Sequence, residues 1–175
     1  MKAGAVVTAT KSLFHTLSDN PDIVETFSTI SRSLVEMNLQ RIGMALSIVK
    51  LDGHTLSVSS AGVPPLLLFR AETGTVEEIL LEGMPLGYST QALYQLTVRK
   101  LFPGDAVLMM SDGLPERHNT AGEDLGSSRT ESHFRKAVAK SPAEICRLLA
   151  QGGEEWAGGR PRDDDVTFVV LKVKV

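Results

Sequence analysis

The order in which the periodicities change along the chain predicts an α+β sandwich, with helices packed outside largely antiparallel sheets. Three observations carry that reading. Helical spacing fills the first 42 residues, a run of strand-like segments joined by short turns follows, and two helical stretches then give way to a valine-rich strand. The regular alternation of single strands and helices that marks a parallel doubly wound sheet is absent.

Ala5, Val6, Ala9, Leu13 and Leu17 recur at helical spacing until Ser18-Asp19-Asn20-Pro21 breaks the run. Pro21 suits the first turn of a second helix, where its missing N–H is not needed. Ile23, Phe27, Ile30, Leu34 and Met37 then mark one apolar face. From Met44 to Leu51 the chain reads as a strand, Asp52-Gly53 is a hairpin signal, and Thr55 to Ser59 returns as its partner. Pro65 to Arg70, Val76 to Leu80, Tyr94 to Val98 and Ala106 to Met110 read as further strands, the last of them buried and entered through the Pro103-Gly104-Asp105 turn. A polar stretch from Pro115 to Ser128 is about as long as loops run without a function. Glu131 to Lys140 reads as a short helix. Ser141-Pro142-Ala143-Glu144 has the residues of a capping box and opens another, and Val166 to Val175 closes the chain as a strand.

Of the 175 residues, 42% are hydrophobic and 22% charged, the composition of one globular domain spanning 1–175. A net charge of −3 gives no electrostatic reason to expect nucleic acid or an anionic membrane as partner. The longest apolar run, Pro64 to Phe69, falls far short of the ~20 residues that span a bilayer. The N-terminus lacks the apolar stretch of a secretory signal, and the single Cys146 fits a reducing compartment, so the chain is read as cytoplasmic.

Two acidic clusters carry chemical interest because each adjoins an apolar strand. Ser111-Asp112-Gly113 follows Val107 to Met110, and Asp163-Asp164-Asp165 precedes Val166 to Val170. Carboxylates converging at strand ends repel one another unless a cation or protons intervene. Hard divalent cations such as Mg²⁺ and Mn²⁺ take oxygen ligands, and a pair of them can clamp a phosphoryl group for in-line attack. Ser-Asp-Gly after a strand is also an ordinary turn, and three aspartates in a row are also an ordinary solvated loop. Composition and spacing leave both readings open. The four histidines, His15, His54, His118 and His133, show no paired metal-ligand spacing and read as surface or turn residues. Cys146 reads as a core residue, and Gly83-Met-Pro-Leu-Gly87 as a structural loop. The glycine-framed serine of serine hydrolases and the phosphate-binding P-loop are both missing.

Four segments, in order, give a more specific indication. Ser60-Ala-Gly-Val-Pro-Pro65 resembles the "Asn-Ala-Gly-His-Pro-Pro" strand of bacterial stage II sporulation protein E-like phosphatases, and Gly83 to Gly87 is similar to their "Gly-Leu-Pro-Leu-Gly" loop. Gly104-Asp105 through Ser111-Asp-Gly-Leu-Pro-Glu116 resembles their "Gly-Asp … Thr-Asp-Gly-Leu-Thr-Glu", and Asp164-Asp-Val-Thr167 their C-terminal "Asp-Asp-Ile-Thr". The resemblance implies the metal-dependent protein phosphatase fold, an αββα sandwich. It implies Asp112 and Asp164 as ligands in a site for two Mn²⁺ or Mg²⁺ ions, with Asp165 next to the ligand position and Asp163 facing solvent. The implied reaction is hydrolysis of phosphoserine or phosphothreonine on a protein, with metal-bound water as nucleophile and no catalytic side chain. Family members often act on anti-sigma-factor antagonists in signalling pathways that control sigma factors.

The family's opening Gly-Asp-x-x-Asp-like strand and its Asp-x-x-Gly-His-Gly loop do not occur in this sequence. The expectation is therefore an N-terminally incomplete domain, with weak or partial metal binding and impaired activity, and with open sheet edges that favour a homodimer. The competing reading is a non-catalytic pseudophosphatase acting as a protein-binding or signalling module.

Overall fold

The computed structural model describes residues 2–38 and 42–174. The expected tail of the second helix at 39–41 and the last residue of the expected final strand, Val175, lie outside the described residues. The elements are α1 (Lys2–Leu17), α2 (Ile23–Glu36), β1 (Leu46–Asp52), β2 (Thr55–Ala61), β3 (Leu66–Arg70), β4 (Thr75–Ile79), β5 (Thr97–Lys100), β6 (Ala106–Met110), α3 (Gly126–Ala137), α4 (Pro142–Ala157) and β7 (Phe168–Lys172). They make the α+β class that the sequence predicts, with every sheet pairing antiparallel. The chain divides into two compact units, Met1–Val63 with Leu81–Lys100, and Pro64–Leu80 with Leu101–Val175.

The first unit holds α1, α2 and the sheet β1-β2-β5. Asp22 starts α2 by accepting the Val24 and Glu25 amides on its carboxylate at 2.9 and 3.0 Å. Pro21 therefore precedes the helix rather than sitting in its first turn. Four of the five residues expected on the apolar face of α2 are buried, Ile23, Phe27, Ile30 and Leu34 packing with Val6, Ala61, Leu86 and Tyr94, whereas Met37 caps the helix and is exposed. Asp52 and Gly53 lie at the β1–β2 hairpin, with Gly53 at φ 55, the left-handed value such a turn demands. The segment read as a strand from Tyr94 instead forms β5 only from Thr97. Tyr94 is drawn inward, its ring centroid 5.2 Å from that of Phe27. The Gly83–Gly87 loop is structural, as expected: Gly83 accepts the Gly62 amide, Leu86 bridges Met44, and a Cβ on Gly83 would lie 2.4 Å from the Ser60 carbonyl oxygen.

The second unit holds the sheet β4-β3-β6-β7 with α3 and α4. β6 is central, Leu108 standing opposite Leu67 on one side and Val170 on the other. Leu67, Leu108, Leu114, Leu125, Phe134, Ile145 and Leu149 form its core. Ser141 caps α4 with the reciprocal bonds of a capping box, and Gly158 ends the helix in the left-handed conformation. The helix expected from Glu131 begins five residues earlier, at Gly126.

At the entry to β6 lies Asp105, only 2% exposed. Its carboxylate accepts the Ala71 amide at 2.9 Å and the Phe102 amide at 3.1 Å, and pairs with Arg70 at 3.0 Å. Gly-Asp here is a structural staple joining two turns, which removes Asp105 from the pool of available acids.

Candidate metal site beside β6 and β7

The two acidic clusters belong to the second unit and are brought together by backbone contacts. Asp112 follows the C-terminal end of β6, and its carbonyl accepts the Glu116 amide at 2.9 Å to start a tight turn. Asp163 to Asp165 precede β7, the neighbour of β6. Ser111 joins the two segments. Its amide donates to the Thr167 carbonyl at 3.1 Å, its hydroxyl donates to the Asp165 carbonyl at 3.1 Å, and the same hydroxyl accepts the Thr167 amide at 3.0 Å. Gly113 completes the contact, because a Cβ there would sit 2.3 Å from the Asp165 carbonyl oxygen. The Asp-Gly pair thus owes its glycine to a close approach of main chains, which the sequence displays only as a turn signal.

Among the described residues the Asp112 and Asp165 carboxylates have no hydrogen-bond or ion-pair partner, and all three aspartates of the run are exposed. Asp164 accepts its neighbour's amide, Asp165 N, at 2.7 Å on one carboxylate oxygen. Asp163 is exposed and also engaged in ion pairs. It pairs with Arg160 at 3.2 Å, and its other oxygen lies 3.5 Å from His118 Nδ1, which makes no hydrogen bond. His118 Nε2 lies 3.1 Å from Asp124. One of the histidines read as incidental therefore sits between two carboxylates beside the candidate site.

The loop after Asp112 is organised rather than irregular. The Asn119 side chain accepts the Ala121 and Glu123 amides at 2.9 and 3.0 Å, and Trp156 donates to the Glu123 carbonyl at 3.2 Å. Buried Arg117 donates to the carbonyls of Arg160 and Pro161 and lies 3.5 Å from Glu154. Arg162 donates to Glu154 at 2.7 Å, a bond that holds the Glu154 carboxyl below the usual carboxylate range. Neither Arg117 nor Arg160 carries a motif that sequence reading could single out.

Asp112, Asp164 and Asp165 offer only hard oxygen donors, the ligand chemistry of Mg²⁺ and Mn²⁺. In kind they fit such an ion. In number they are few: among the described residues no three His, Cys, Asp or Glu side chains converge on one point.

Comparison with known proteins places this arrangement. A family profile described as stage II sporulation protein E (SpoIIE) matches residues 1–174. The SiaA-PP2C domain of Pseudomonas aeruginosa superposes with a TM-score of 0.81 at 18% identity, over 97% of this chain and 68% of that one. The RsbU and RsbW domains of Rv1364c from Mycobacterium tuberculosis give 0.76 at 23% identity, over 97% of this chain and 47% of that one. The PP2C phosphatase domain of SpoIIE from Bacillus subtilis, with a fragment of its regulatory domain, gives 0.75 at 23% identity, over 95% and 50%. A search of curated proteins found no match. The α+β architecture is thus that of the PP2C phosphatase domains, and the chain belongs to the stage II sporulation protein E family.

Proposed function

We propose that the chain acts as one phosphatase domain over residues 1–175, hydrolysing phosphoserine or phosphothreonine on a regulatory protein such as an anti-sigma-factor antagonist. The observation that carries this reading is the Ser111–Gly113 contact with Asp165 and Thr167. It fixes two acidic segments side by side while leaving the Asp112 and Asp165 carboxylates unengaged. Asp112 and Asp164 are the proposed ligands of Mn²⁺ or Mg²⁺, with Asp165 beside them. Such a cation, when bound, supplies positive charge against the phosphoryl group's developing negative charge. The protein's share is to hold the turn after β6 beside the bend before β7, a strand that begins at Phe168 rather than at the expected Val166. The regulatory-protein substrate rests on likeness to RsbU-type and SiaA domains. A cytoplasmic setting belongs to the same proposal; no described helix is long and apolar enough to cross a membrane.

Phosphate release from a phosphorylated anti-sigma-factor antagonist in excess Mn²⁺ tests the reading. Turnover that vanishes in Asp112→Asn and Asp164→Asn supports it. Tight binding of that protein with no turnover favours the pseudophosphatase reading, for which the small ligand count speaks. Association through a sheet edge, at β1, β5, β4 or β7, is the proposed route to a homodimer. Light scattering that finds a monomer at high concentration removes that part.

A further inference from the structure

We infer that Arg117 is a positioning residue, gripping the chain just before the acidic run so that Asp164 and Asp165 meet the Asp112 turn in a fixed register. The inference rests on the metal-site reading above. Arg117 is 4% exposed, and a buried guanidinium is costly unless its donors are used; its Nε has no partner, so the two Nη atoms carry that load. Nη1 donates to the Pro161 carbonyl and Nη2 to the Arg160 carbonyl, with Glu154 3.5 Å away for charge. Two successive main-chain carbonyls held by one planar fork fix the direction in which the chain leaves Pro161. Three residues later that chain reaches Asp164.

The other end of Arg117 is anchored on the Asp112 turn. Its amide donates to the Leu114 carbonyl at 3.1 Å, and its own carbonyl accepts the Leu125 amide at 2.9 Å. The acidic run is therefore clamped twice: before it by Arg117 on residues 160 and 161, and at its end by Ser111 on Asp165 and Thr167. The approach to Asp164 is tied also by Arg160 on Asp163 and Arg162 on Glu154, both half-exposed carboxylates, and the Arg117 fork is the buried tie among them. A pocket of about 120 Å³ lies beside the clamp, lined by Leu114, Arg117, Gly153, Glu154, Val166 and Phe168. Lysine cannot replace the fork, since its compact ammonium has no planar pair of donors.

The test compares the full chain with Arg117→Met and Arg117→Lys, each kept well below its melting temperature. Amide exchange across 160–167 and Mn²⁺ affinity, from the paramagnetic resonance of free Mn²⁺, are the readouts. Faster exchange at 160–167 is expected in both variants, with Mn²⁺ dissociation constants raised at least about tenfold, the usual effect of losing a ligand's supporting partner. Arg117→Lys keeps the charge and should recover stability without recovering affinity, a split that a merely structural role would not give. Wild-type Mn²⁺ affinity in folded variants overturns the inference, and so does unchanged exchange at 160–167. A wild-type chain that binds no Mn²⁺ overturns the metal-site reading instead, and exchange then decides for or against Arg117 by itself.

Discussion

Asp105 and Asp112 stand at opposite ends of the same strand, β6, and are put to opposite uses. Asp105 is buried, and its oxygens take two amides and an arginine. Asp112 is exposed, and only its main chain is engaged, through the turn to Glu116. Both lie next to a glycine and both fall in family-like motifs, so neighbours in sequence do not separate them. Satisfaction does. A carboxylate whose lone pairs are filled by the protein holds the fold together, whereas one held rigidly by its backbone and left unfilled is available to a cation.

That contrast can be broken by substitution. The largest effect is expected from Asp105→Ala, which takes a carboxylate partner from the Ala71 and Phe102 amides and leaves Arg70 with Glu77. It should cost about 3 kcal/mol in urea unfolding. A cost near zero would make Asp105 no more structural than Asp112. Asp112→Asn should do the reverse. Without metal, its stability should stay within ~0.5 kcal/mol of wild type. With Mn²⁺ at ~100 times its dissociation constant, wild type should gain about 2.7 kcal/mol and the variant far less. Equal Mn²⁺ shifts in thermal melts would remove Asp112 from the ligand set.

Gly113→Ala sharpens the comparison, because its new methyl meets the Asp165 main chain rather than a side chain that could move aside. It should cost about 2 kcal/mol in the same unfolding assay and weaken the Mn²⁺ response along with stability. The smallest effect concerns Glu144, a carboxylate engaged as Asp105 is but at the surface. The Ser141 hydrogen bonds lower its pKa. Because the folded value lies below the unfolded one, its contribution is full above the unfolded glutamate value of about 4.3 and is lost as pH falls through the folded value. The gap in melting temperature between wild type and Glu144→Gln should therefore close on acidification from pH 6 to 3. A gap that widened would contradict the capping role.

Local codes proved readable and distant contacts did not. The spacing of Ile23, Phe27, Ile30 and Leu34, the Asp52-Gly53 hairpin and the Ser141 capping box each act within a turn or two of chain, and each stands where the sequence put it. Tyr94 misled as a strand residue because its place depends on Phe27, far away in sequence. The polar loop looked irregular because its order comes from Asn119 and from Arg117 reaching residues 160 and 161. At the candidate site the Asp-Gly after an apolar strand was visible. The division of labour within the aspartate run was not, since it depends on Arg160 and His118 engaging Asp163 and on Ser111 engaging the Asp165 carbonyl.

The chain passes between its two compact units three times, after Val63, Leu80 and Lys100. During synthesis, then, neither unit can finish before the other has begun. The β3–β4 hairpin emerges from the ribosome ahead of β5, the last strand of the first unit, and must await β6 and β7 to complete its own sheet. A nascent chain halted near Lys100 would carry one complete sheet and an orphaned hairpin, so the first unit is expected to close while the β3–β4 hairpin still waits for β6 and β7.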